Sequence, residues 1–166
     1  MKDRLMFYFY GSSICNILLV IFLCSCAITK TATVDIYALC EAETHCVSYK
    51  EGRNAYIRGS SGERGAWQIS TMALSDFNRY NKEGLLFVEE DLYTFEVSEM
   101  VANFYVSRIK DMITKLCGKE YITERNILIA WNWGIGNLQK HIKDPEGYPV
   151  PFMVEDFVKK YFKNKE

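Results

Sequence analysis

The chain has 166 residues, and 20 Lys and Arg stand against 21 Asp and Glu, which gives a formal net charge of -1 at pH 7. This balance excludes the strongly basic surface that nucleic acid selects, so no nucleic-acid partner is predicted. Hydrophobic residues make up 49% and charged residues 25%, which excludes a disordered chain, and the length fits one globular domain.

Residues 1–25 are predicted to be an export signal. Lys2 and Arg4 precede an apolar run over residues 17–24. A basic start followed by a short apolar run is typical of secretory signals, and the run is shorter than the roughly 20 residues that cross a bilayer. A permanent membrane anchor is the alternative. The protein is therefore expected in the cell envelope.

The apolar run ends in Leu-Cys-Ser-Cys, which resembles a bacterial lipobox and makes Cys26 a candidate for acylation. A lipid on Cys26 would hold the protein on a membrane, because each buried CH₂ contributes about 0.8 kcal/mol. An ordinary signal peptide cut near Ala27 is the alternative, which would leave the protein in the periplasm. Residues 26–33 are then a short tether before the folded domain.

Three cysteines, Cys40, Cys46 and Cys117, belong to the folded domain. An odd number in an oxidising compartment allows at most one internal disulfide. Cys40 with Cys117 and Cys46 with Cys117 are both open as pairs. A zinc site built from these cysteines and His45 is less favoured, because the spacing matches no familiar ligand pair.

Residues 34–166 are predicted to form an all-α domain, since apolar residues recur at helical spacing. One helix is predicted over residues 34–47 and a long one over residues 91–116. Thr123 is predicted to cap a further helix, and Pro151 to open the last one.

Two segments have compositions that packing does not explain. Residues 58–69 place three glycines and two serines ahead of Trp67 and Gln68, and residues 130–137 set two tryptophans around Asn132. Flat rings next to amide groups suit a sugar, which needs a surface to stack on and partners for its hydroxyls. A single Trp is more often a core residue, but the two segments together favour a glycan-binding site.

These segments, read with the helix before them, resemble the motifs of soluble lytic transglycosylases, which share the lysozyme fold with goose-type lysozymes. Glu43-Thr44 stands where that family has Glu-Ser at the end of a buried helix. Residues 65–69 resemble Gly-Leu-Met-Gln-Ile, and residues 130–136 resemble Ala-Tyr-Asn-Ala-Gly with a further Gly. The order and spacing agree across about residues 34–142, and the resemblance implies a lysozyme-like domain with a glycan-binding groove.

The resemblance implies that Glu43 protonates the glycosidic bond between N-acetylmuramic acid and N-acetylglucosamine in peptidoglycan. Glu43 would then act as a base, and the product would carry a 1,6-anhydro ring. By the same resemblance Thr44 would orient Glu43, Gln68 would bind a sugar substituent, Trp131 would stack on the glycan, and Asn132 would hold it. This route requires no cofactor and no metal.

A fourth family element, a tyrosine near the C-terminal helix, is not clearly present. Phe157 occupies that place and lacks the hydroxyl, and Tyr148 and Tyr161 are candidate replacements.

Two questions about carboxylates stay open at this stage. Helical periodicity alone does not choose between Glu41 and Glu43, and only the resemblance selects Glu43. Glu63, Asp76 and Asp91 could each serve as a second carboxylate for simple hydrolysis, although surface charge or helix capping explains each more simply. A lysozyme-type hydrolase and a non-catalytic glycan-binding lipoprotein are therefore the alternative functions.

Overall fold

The computed structural model describes residues 32–46 and 56–166, and this part of the chain is mostly helical, with no β-strand among these residues. The predicted all-α class is confirmed for this part. The predicted signal segment and Cys26 lie outside the described residues. None of the helices in the described ranges is long and apolar enough to cross a membrane.

The helices are α1 (Ile36–Thr44), α2 (Thr71–Tyr80), α3 (Phe95–Leu116), α4 (Glu124–Trp133), α5 (Ile135–Lys143) and α6 (Phe152–Lys165), with 3-10 turns at Glu89–Tyr93 and Lys119–Tyr121.

Helix α1 has a well-defined beginning and end. The Asp35 carboxylate accepts hydrogen bonds from the backbone N–H groups of Tyr37 and Ala38, at 2.9 and 3.1 Å. The helix ends at Thr44, because His45 and Cys46 adopt left-handed backbone angles, with φ of 59° and 44°. The predicted continuation to residue 46 is therefore wrong, and residue 47 lies outside the described part.

A disulfide joins Cys40 to Cys46 across the end of α1, with their Cα atoms 5.2 Å apart, and Cys117 is free. Both predicted pairings with Cys117 are wrong. In a continuous helix six residues advance about 9 Å along the axis, too far for a disulfide, so the pair forms only because the chain turns back after Thr44. A disulfide sulfur offers no thiolate, so Cys40 and Cys46 are not available as ligands for the less favoured zinc site.

Helix α3 passes through the middle of the hydrophobic core and contacts α2, α4 and α5. It begins at Phe95 rather than near residue 91, because residues 89–93 form a 3-10 turn ahead of it. Thr123 caps α4 as predicted, since its hydroxyl accepts a hydrogen bond from the Asn126 N–H at 3.1 Å. Pro151 immediately precedes α6, also as predicted.

Helix α1 packs mainly against α6. Tyr161 of α6 lies in this contact, and its side chain is fully buried. Its hydroxyl accepts a hydrogen bond from the Asp35 N–H at 2.8 Å and donates one to Glu124. The first and last helices of the domain are therefore joined at the N-terminal end of α1, which leaves the C-terminal end of α1 available to form a site.

Candidate functional site

A cavity of about 320 Å³ lies where the C-terminal end of α1, the loop over residues 56–70, and helices α3 and α4 meet. It brings together four of the residues predicted from the sequence, although they are separated by almost ninety positions in the chain. Its lining includes Glu43, Gln68, Trp131 and Asn132, together with Glu63 and Tyr105.

Glu43 is the central acidic group of this cavity. Trp131 donates a hydrogen bond from its indole Nε1–H to Glu43 Oε1 at 2.8 Å. Burial raises the pKa of Glu43 from the ordinary 4.5 to about 7; the Trp131 hydrogen bond lowers this pKa, and the negative charge of Glu63 raises it further. A carboxyl group with this pKa keeps its proton far more readily near neutral pH than an exposed glutamate does, as a general acid requires.

The loop after residue 56 is folded tightly by backbone hydrogen bonds. Arg64 and Ile69 exchange both of theirs, at 3.0 and 2.9 Å, and the Gly65 N–H donates to Ile57 at 3.0 Å. Gly65 has a φ of 77°, and a Cβ there would collide with the Leu92 carbonyl oxygen. Glycine is thus required at the start of the second motif, because the loop presses directly on the residues that precede α3.

Gln68 follows this turn in a left-handed conformation, with a φ of 48° that is unfavourable for residues other than glycine. Its Nε2 donates a hydrogen bond to the Gly65 carbonyl at 2.9 Å. A Cβ on Gly59 would lie 2.6 Å from Gln68 Oε1 and against the Glu63 carboxylate. The missing side chain at Gly59 therefore makes room for both polar groups, and backbone strain of this kind is concentrated at functional sites.

The three candidate second carboxylates have different surroundings. Asp76 forms an ion pair with Arg108 at 3.6 Å, and Asp91 accepts a hydrogen bond from the Val88 N–H at 2.8 Å. Glu63 alone of the three lines the cavity, and its Oε2 accepts a hydrogen bond from a neighbouring backbone N–H at 3.1 Å. A second carboxylate therefore stands in the same cavity as Glu43.

Thr44 has a different position from the one that the resemblance implies. Its hydroxyl donates to the Ala66 carbonyl at 2.8 Å, which joins the end of α1 to the second motif. It is not among the residues that line the cavity as described. The hydrogen bond found on the Glu43 carboxyl comes instead from Trp131.

The other two tryptophans serve packing. Trp67 is completely buried, donates a hydrogen bond to the Ile36 carbonyl at 2.7 Å, and packs against Phe95 with ring centroids 4.7 Å apart. Trp133 stacks on Tyr148 at 5.2 Å. Only Trp131 of the three lines the cavity. The tryptophans of the two segments therefore have different roles, with Trp67 and Trp133 in packing and Trp131 at the site.

The cavity lining includes one tyrosine, Tyr105 of α3, which lies outside the three sequence motifs. Its ring meets the Trp131 ring edge-on at 5.7 Å, and burial raises its pKa. The predicted candidates Phe157, Tyr148 and Tyr161 are not among the described lining residues. Tyr105 lies within the apolar pattern of α3, and its hydroxyl is the one feature of the sequence that distinguishes it there from a core residue.

No family model matches this chain, and comparison with curated protein sequences and with solved structures finds no significant match. Within the described part of the chain, no three His, Cys, Asp or Glu side chains are grouped so that they could hold a metal ion.

Proposed function

We propose that the protein is a peptidoglycan lytic transglycosylase with a lysozyme-like domain, and that Glu43 is its acid and base. One observation carries this proposal: a carboxyl group with a pKa of about 7 is held by an indole N–H in a cavity with amide and aromatic side chains. That combination suits protonation of a sugar oxygen at neutral pH. The resemblance of the three sequence motifs to those of lytic transglycosylases supports peptidoglycan as the polymer.

In this mechanism the Trp131 hydrogen bond fixes the Glu43 carboxyl through Oε1, and Oε2 carries the proton. Glu43 donates that proton to the glycosidic oxygen as the bond to C1 of N-acetylmuramic acid breaks. The resulting carboxylate then removes the proton from the C6 hydroxyl of the same sugar, whose oxygen bonds to C1. Glu43 ends protonated as it began, the product is a 1,6-anhydro sugar, and no water is consumed.

Substrate binding in this proposal rests on stacking and hydrogen bonds, as the near-neutral net charge suggests. Asn132 is exposed at the cavity and offers both a donor and an acceptor, and Gln68 is positioned nearby by its turn. Trp131 and Tyr105 supply aromatic surface next to the acid. The glycan strand is the proposed partner, and a lipid on Cys26 would keep the protein itself close to the membrane.

A second candidate function, a lysozyme-type hydrolase of the same bond, is favoured by Glu63. Glycosidases that use water employ a pair of carboxyl groups, one as acid and the other as base or nucleophile. Glu63 lines the same cavity as Glu43, so it could activate a water molecule there. A protein that binds glycan without cleaving it is the remaining alternative.

The test is to digest purified peptidoglycan with the full-length protein and to identify the released fragments by mass spectrometry. Anhydro ends that disappear in Glu43→Gln support the transglycosylase, whereas reducing ends that disappear in both Glu43→Gln and Glu63→Gln support the hydrolase. Glu41→Gln, two residues away on α1 and outside the cavity lining, is the matched control. No release by a folded wild-type protein would overturn both enzyme proposals.

A further inference from the structure

A second cavity, of about 500 Å³, lies between α2 and α3 and is not explained by the proposed acid–base chemistry. Phe77 and Phe104 form part of its wall, with ring centroids 5.2 Å apart in an edge-on arrangement. Tyr80 stands at its edge and is about half exposed. The cavity therefore offers apolar and aromatic surface to a ligand.

The two cavities are neighbours along the same pair of helices. Ala73 of α2 and Tyr105 of α3 line the first cavity, and Tyr80 and Arg108 line the second. Ala73 and Tyr80 are seven residues apart, which is about 10 Å along a helix axis. A polymeric substrate with side branches could therefore occupy both cavities at once.

Two side chains, Asp76 and Tyr80, contact Arg108 at the second cavity. Its Nε lies 3.6 Å from Asp76 Oδ2, and its guanidinium carbon lies 4.6 Å above the centre of the Tyr80 ring. A guanidinium has five N–H donors in a planar fork that matches a carboxylate. These two neighbours orient Arg108, and because the Asp76 carboxylate already lies at its Nε, a ligand carboxylate would pair with the other N–H groups of the guanidinium.

The cavity also carries charges of both signs. Lys82 and Arg108 are cationic, and Glu83 and Asp111 are anionic. A neutral sugar carries no charge to pair with these side chains, and a purely anionic ligand would be repelled by the two carboxylates. A short peptide with both carboxylates and an ammonium group complements it, because each charge finds an opposite partner.

We propose that the second cavity binds the peptide stem that branches from N-acetylmuramic acid. A stem carboxylate pairs with Arg108, the ammonium group of its diamino acid pairs with Glu83 or Asp111, and the apolar part lies on Phe77 and Tyr80. This choice of peptide rests on the proposed function. Arg108 is then a specificity-determining residue that distinguishes peptidoglycan from unbranched glycans.

The first test measures binding without cleavage. Isothermal titration of the full-length protein with a free stem tetrapeptide containing a diamino acid should give saturable binding, and Arg108→Gln should weaken it by about tenfold or more. Arg79→Gln is the matched control, because Arg79 also lies near the Tyr80 ring, at 5.8 Å, but does not line the cavity. Absence of peptide binding, or equal weakening by both variants, would overturn the inference.

The second test compares cleavage of intact peptidoglycan with cleavage of the same strands stripped of peptides by an amidase. Arg108→Gln should lower kcat/KM about tenfold on the intact polymer and leave the stripped strands unaffected. Equal loss on both substrates would overturn the inference in favour of a structural or sugar-binding role. If Arg108→Gln unfolds, the exposed Lys82→Gln replaces it with the same expected pattern and a smaller effect.

The two proposals fail in different ways. Arg108-dependent peptide binding by a protein that releases no fragments would support the peptide site and overturn the enzyme. Cleavage at the same rate with and without the peptides, and with and without the Arg108→Gln substitution, would support the enzyme and overturn the peptide site.

Discussion

Replacing Glu43 by Gln is expected to stabilise the folded protein at pH 8 and to leave its stability nearly unchanged at pH 4. Glutamine has almost the same shape and keeps an oxygen that can accept the Trp131 hydrogen bond. It differs from glutamate chiefly in having no charge to bury. The variant therefore isolates the free-energy cost of holding an ionised carboxyl group in the cavity.

The magnitude follows from the raised pKa of Glu43. Between the unfolded value of 4.5 and the folded value of about 7, the folded state binds more protons than the unfolded state. The free energy of unfolding therefore falls as the pH rises through this interval, and the loss is complete above the folded pKa. At 1.36 kcal/mol for each pH unit, the cost at pH 8 is about 3 kcal/mol at most.

The assay is urea-induced unfolding of the wild-type protein and Glu43→Gln at pH 4, 6 and 8. The stability difference should be near zero at pH 4, intermediate at pH 6 and largest at pH 8. Glu41→Gln provides the matched control on the same helix. A difference that stays constant with pH, or a variant less stable than wild type at pH 8, would refute the claim that burial raises the pKa of Glu43.

Three further predictions concern Trp131, the Cys40–Cys46 disulfide and Cys26. Trp131→Phe removes the hydrogen bond that lowers the pKa of Glu43, so the pH at which activity falls on the alkaline side should rise; an unchanged pH profile would contradict this. Joint replacement of Cys40 and Cys46 by Ser should lower the free energy of unfolding by about 2 kcal/mol in urea titrations, whereas equal stability would show that the disulfide contributes nothing. A fatty-acid analogue should label the wild-type protein in cells but not Cys26→Ser, and label that persists would disprove acylation.

The sequence predicts the helices that carry a strong apolar stripe or a clear cap. Helix α3 has six buried residues along its length, and α4 and α6 begin next to Thr123 and Pro151 as expected. Helix α2 has ten residues, of which three are buried, and α5 has nine, of which only Leu138 is buried, so each apolar stripe is too short to predict a helix. Short amphipathic helices of this kind are stabilised by the tertiary packing that the sequence alone does not reveal.

Some residues of the candidate site can also be predicted from the sequence, whereas others cannot. Gln68 and Asn132, which belong to the recognisable motifs, are both found at one cavity: Gln68 follows the turn of the second motif, and Asn132 lies in the last turn of α4. Tyr105 enters the site only through the packing of α3 beside α4, which no local pattern records. The Cys40–Cys46 pair depends on two consecutive left-handed residues, His45 and Cys46, and such a conformation is too uncommon outside glycine to be predicted from the sequence.

The position of Glu43 depends on contacts made by its neighbours more than on its own side chain. Thr44, directly after it, donates a hydrogen bond to the Ala66 carbonyl, and the Cys40 sulfur lies 3.7 Å from the same oxygen. One carbonyl of the second motif therefore contacts α1 on both sides of the acid. The hydroxyl of the first motif then acts by joining the two motifs, and Trp131 of the third motif completes the arrangement through its bond to the carboxyl. Because all three motifs meet at this acid, a change in any one of them alters its environment.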